Sequence, residues 1–248
     1  MLTKKNILLL SNTIFLVFLF YFSIYNMVSE VHITELLFLL NCFILYILYG
    51  KKNAYFITYL AILNIAQILY TIYICFEKNI GISATGGAIF LIAYASMIIY
   101  IFKEIEWGKL KTFSVITAVL ILALVLWIAY NINYMILKEQ PFSNLENPSE
   151  IIHQYMIYIY FIFIASMIFL GFLNLSTKVN SWSILFCLGA TCALSSEFSQ
   201  IFQMIHYGGD SVGFINIIDK AFSVASMYFF YSSIDNRKHP DSLLKKAF

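Results

Sequence analysis

Charge is what this chain has least of. Asp, Glu, Lys and Arg make up only 11% of its 248 residues, against 61% hydrophobic and 18% aromatic. A soluble domain of that make-up would expose far more apolar surface than water tolerates, which leaves a polytopic membrane protein. Blocks of like charge are missing too: the net charge is +2 and the basic residues are scattered through short loops, so nucleic acid is not an expected partner. The four cysteines, Cys42, Cys75, Cys187 and Cys192, each fall inside an apolar run without Cys-x-x-Cys spacing, which reads as packing. There is no His-Glu-x-x-His zinc helix, no nucleophile with a nearby base and no nucleotide fingerprint. Gly86-Gly87 lacks the following Lys-Ser/Thr and the preceding strand that a phosphate loop needs. These absences argue against an enzyme, and no cofactor or metal is expected.

What is there is long apolar runs. Eight reach membrane-spanning length, roughly 6–28, 33–49, 55–76, 84–102, 112–137, 151–175, 182–206 and 212–232. They are continuous rather than alternating, so they predict helices and not a barrel. The first run follows Lys4-Lys5 like a signal peptide, but 18–25 offers no small-x-small cleavage site, and it reads as an uncleaved span. Twelve basic residues (Lys4, Lys5, Lys51, Lys52, Lys103, Lys109, Lys111, Lys178, Arg237, Lys238, Lys245, Lys246) fall at one set of ends and two, Lys78 and Lys138, at the other. The positive-inside rule then puts both termini in the cytoplasm. The fold class expected is all-α: a polytopic bundle of eight transmembrane helices over 1–232, with a short cytoplasmic tail over 233–248. The short loops predict that helices next to each other in sequence pack side by side. The longest loop, 138–150, is held out of helix by Pro141 and Pro148.

The most polar stretch in this apolar setting is the last hairpin. At 100° per residue Glu197, Gln200, Gln203, Ser196 and Ser199 share one side of the seventh run, and Asn216, Asp219, Lys220, Ser223 and Ser226 form a stripe on the eighth. An unpaired charge at that depth costs at least about 3 kcal/mol, so Glu197 is expected to meet Lys220 directly or through Asp219 or Gln200. Glu35 lies three residues after His32, a spacing at which the two side chains meet. His32, His153 and His206 sit at the external helix ends near Glu30, Glu35, Glu150 and Asp210. Such a cluster could respond to pH or to a ligand, but no two of these histidines share a helix at metal-ligand spacing. Asn41, Asn64, Gln67 and Asn174 read as hydrogen-bond partners between helices.

Three segments together carry a resemblance: Ser196-Glu197 with the aromatic turn after it, Lys220-Ala-Phe-Ser223 with Tyr228 behind, and the run from Tyr231 through Pro240 to Leu244. His32-Ile-Thr-Glu35 and the stretch from Pro141 to Glu150 add to it. The chain resembles the membrane-associated sensor domains of the MASE type, third class, bacterial input modules that precede histidine kinase or diguanylate cyclase domains. The resemblance implies a sensory module of a bacterial signalling system in the cytoplasmic (inner) membrane, without catalytic activity of its own. Its sensing residues would be drawn from Glu197, Gln200, Gln203, Asp219, Lys220, Glu35, His32, His153 and His206. Beyond the lipid bilayer its partners would be a separate cytoplasmic kinase or cyclase and a second copy in a homodimer, because the sequence stops at Phe248 where an output domain would begin. Two other readings use the same hairpin: an intramembrane enzyme, since Glu197 to Gln200 followed by an Asp-bearing helix is similar to the VanZ-like family, and a small transporter.

Overall fold

The computed structural model describes residues 4–50, 52–76, 79–139, 148–207 and 213–236. These form eight α-helices: α1 (Lys4–Ile24), α2 (Val28–Tyr49), α3 (Ala54–Cys75), α4 (Ile80–Glu104), α5 (Thr112–Glu139), α6 (Pro148–Thr177), α7 (Ser181–Tyr207) and α8 (Gly213–Asn236), with a 3-10 turn at Trp107–Lys109. Each helix covers one of the eight expected runs, and no strand occurs among the described residues. Five are long and apolar enough to cross a membrane: α1, α2, α3, Gly81–Glu104 of α4 and Ile159–Thr177 of α6. Thr112–Ile128 of α5 is a shorter apolar stretch. Three helices start on asparagine, as capping predicts. The side chain of Asn53 accepts from Phe56 N–H at 3.2 Å, that of Asn79 from Gly81 N–H at 2.8 Å, and that of Asn180 from Ser183 N–H at 3.0 Å.

The packing order departs from the chain order at one place. α1 packs on α2, α2 on α3, α3 on α4, and then α4 on α6; α6 packs on α7, α7 on α8, and α8 returns to α1. Seven helices thus close a ring, while α5 lies outside it, chiefly against α6. The expectation that sequence neighbours always pack side by side fails here. The turn between α6 and α7 is bound to the end of α4: the Lys178 ammonium donates to the Glu104 carbonyl at 2.8 Å and lies 3.1 Å from the Glu106 carboxylate, which Lys109 also meets at 2.6 Å. Those two lysines, Lys109 first, hold the Glu106 carboxyl below its ordinary value. With α6 drawn to α4, α5 turns its side chains outward; Phe113 is 79% exposed and Leu120 64%. An outer surface of this kind suits acyl chains rather than water.

Inside the ring the two halves differ. Toward the C-terminal ends of α2, α4 and α8, a chain of rings fills the centre. Tyr46 meets Phe56 at 4.8 Å between centroids, Phe56 meets Tyr59 at 5.7 Å, Tyr59 meets Phe230 at 6.1 Å, Phe230 meets Phe186 at 5.2 Å and Phe186 meets Tyr100 at 6.5 Å. All but Tyr59 are at most 2% exposed, so this half is a solid aromatic plug. The asparagines join helices as expected. Asn41 donates to the Leu8 carbonyl and to Ser11 and Asn12 on α1, Asn64 reaches the Leu39 carbonyl on α2, and Asn174 donates to Ser183 on α7. The opposite half is hollow.

Candidate functional site

The hollow is a cavity of about 310 Å³ lined by residues from all seven ring helices and none from α5. Its charged group is centred on Lys220. The ammonium donates to Glu35 Oε2 at 3.0 Å, across the ring on α2, and lies 3.4 Å from Asp219 Oδ2 on its own helix. Glu35 Oε2 also accepts from the Gln67 amide of α3 at 3.2 Å, and that amide lies 3.4 Å from His32 Nδ1. Asp219 is held from α7, where the Ser196 hydroxyl and the Gln200 amide both donate to Oδ1, the latter at 3.2 Å. Four helices therefore share one polar network. Lys220 and Glu35 are only 11% and 14% exposed, and the satisfied partners offset the cost of burying them.

The expected direct pairing of Glu197 with Lys220 is not formed, nor does Asp219 or Gln200 bridge the two. Lys220 goes to Glu35 and Asp219 instead, and depth explains why. α2 and α8 start at the same end of the bundle, and Glu35 and Lys220 each stand seven residues after the first residue of their helix, about 10 Å in at 1.5 Å per residue. Glu197 is ten residues from the end of α7, about 15 Å and nearly a turn deeper. Its side chain lines the cavity, and among the described residues no donor or cation lies within bonding distance of its carboxylate. The phenols of Tyr70, Tyr94 and Tyr160 are within its electrostatic reach.

His32 and Glu35 do come together as their spacing predicts, Nδ1 to Oε2 at 3.9 Å. The side chains of Gln203, His153 and His206 lie outside the described residues. Among the described residues no three His, Cys, Asp or Glu side chains are placed to hold a metal ion. Gln67 joins α3 to Glu35 of α2, the hydrogen bond between helices that its place in an apolar run predicts. One feature of this site was not revealed by the sequence. The aromatic wall of Phe90, Tyr94 and Tyr160 is assembled from α4 and α6; the spacing of Phe90 and Tyr94 puts them on one face, but the ring opposite comes from a helix two places on.

Chemically, the cavity can hold a small molecule between an aromatic wall and a charged network, and anything that competes for Lys220 or Glu35 acts on α8 directly. No family model, no curated protein and no solved structure matches the chain.

Proposed function

We propose that this protein is a membrane-embedded sensor: eight spans with both termini in the cytoplasm, receiving a stimulus in the cavity and passing it through α8 to the cytoplasmic tail and a separate signalling protein. The observation that carries this reading is the position of α8. It contributes Lys220 to the cavity network and Phe230 to the aromatic plug, so one rigid helix touches both the hollow half and the closed half. A ligand that binds better to one arrangement of the Lys220 contacts than to another shifts the helix by its difference in affinity. The resemblance to bacterial sensor modules supports the same reading and suggests a bacterial inner membrane. Transport would need a path through the bundle, and the plug stands across it.

The test uses spin labels at two exposed sites, Val179 before α7 and Tyr228 on α8, in a background with the four native cysteines replaced by alanine, reconstituted in lipid nanodiscs. Lys220→Met breaks the network and is expected to shift the distance distribution between the labels. An unchanged distribution in a folded variant overturns the proposal.

A further inference from the structure

We propose that the cavity takes a small organic ammonium ion, with its positive head between the Glu197 carboxylate and the rings of Tyr94 and Tyr160. This deepens the sensor reading, on which it rests for the idea that the cavity receives a ligand. The first argument is charge balance. Two carboxylates, Glu35 and Glu197, line the cavity, and the one lysine that lines it is paired with Glu35 and with Asp219 behind it. Glu197 has no cation or donor within bonding distance among the described residues, so in a water-poor interior it requires a proton or an arriving cation.

The second argument is the wall opposite. Phe90, Tyr94 and Tyr160 touch one another pairwise, with centroids 5.3, 5.5 and 5.8 Å apart, and all three line the cavity. Ring faces carry partial negative charge and attract cations that lack strong hydration, substituted ammonium groups above all. A carboxylate set against several rings recognises that class, whereas a metal ion wants converging oxygen, nitrogen or sulfur donors. A cavity of about 310 Å³ lies at the small end of ligand sites. It fits a head group with a short substituent.

The experiment is calorimetric titration of the full chain in nanodiscs at fixed ionic strength with choline, with tetramethylammonium, and with the uncharged carbon isostere of choline. Choline and tetramethylammonium are expected to saturate, and the isostere to bind at least about tenfold more weakly. Glu197→Gln is expected to weaken choline by about tenfold or more while leaving the isostere unaffected. Tyr94→Leu carries the same test if Glu197→Gln does not fold. Equal affinity for choline and its isostere overturns the proposal, as does a folded Glu197→Gln that binds choline like the wild type, or the absence of saturation by either ammonium ion. Binding of choline that depends on Glu197 but leaves the α8 label distances unchanged supports the ammonium site and removes the sensor reading. A neutral or anionic compound that moves α8 from this cavity does the reverse.

Discussion

At the scale of single residues, the site depends on which acid holds Lys220. Glu35 and Asp219 share its charge, and each is in turn held by donors from a different helix, Gln67 on α3 and Ser196 with Gln200 on α7. Removing the ammonium leaves two buried carboxylates facing each other. Lys220→Met should therefore cost about 3 kcal/mol. Adding Glu35→Gln should restore part of the loss, because one uncompensated charge goes with it. Glu197→Gln, which breaks no contact among the described residues and removes a carboxylate that has no partner among them, should not lower stability. Thermal unfolding of the variants in detergent measures all three; a coupling of Lys220 to Glu197 as large as its coupling to Glu35 would reassign the network. The members Glu35, His32, Gln200, Asp219 and Lys220 were readable in the sequence because each is a polar group in an apolar run. The partner of Lys220 was not, since hairpin geometry brings Glu197 near in sequence while the ring brings Glu35 near in space.

At the scale of elements, the most extensive helix contact is between α7 and α8, and Gly189 gives Phe230 its place in it. A Cβ there would sit 2.8 Å from two ring carbons of Phe230. Phe230 cannot step aside, being fully buried between Phe186 and Tyr59. Gly189→Ala should therefore destabilise by about 1–3 kcal/mol as an overpacked contact, and Phe230→Leu in the same chain should recover most of it. Unfolding midpoints of the single and double variants decide; additive losses would mean that the two positions do not press on each other. The helices themselves were legible to within a few residues, because apolar length is a local signal. Gly189 was not, because a glycine in an apolar helix looks the same whether or not a ring lies over it. The start of α8 repeats the lesson: a Cβ on Gly213 would meet the Ile24 carbonyl oxygen at 2.5 Å. That contact comes from the far end of the chain.

Across the whole molecule, the bundle is a ring of seven with one helix outside, hollow in one half and plugged in the other. The plug gives the cavity a floor. Phe230→Ala removes a fully buried ring from its middle and should cost about 3–5 kcal/mol. Phe198→Ala, on a side chain only partly buried and packed against Phe161, should cost clearly less. Comparing the two by thermal unfolding tests whether the plug carries the bundle; equal losses would say it does not. The exclusion of α5 could not be anticipated from loop lengths. It goes with the packing of α6 on α4, elements far apart in sequence, and the Lys178–Glu106 ion pair lies at the end of that contact.

Sequence alone determined that this is an all-helical chain with spans long and apolar enough for a membrane, roughly where the helices run, though α6 begins at Pro148 inside the expected loop, and which side chains are too polar to face lipid. Those properties are local: they follow from hydropathy and helical spacing within a few turns. Tertiary structure decided that α5 stands outside, that Lys220 answers to Glu35, and that Glu197 shares a cavity with an aromatic wall and has no bonding partner among the described residues. Each depends on the depth and order of helices around a ring, and depth relates residues through space that no spacing along the chain encodes.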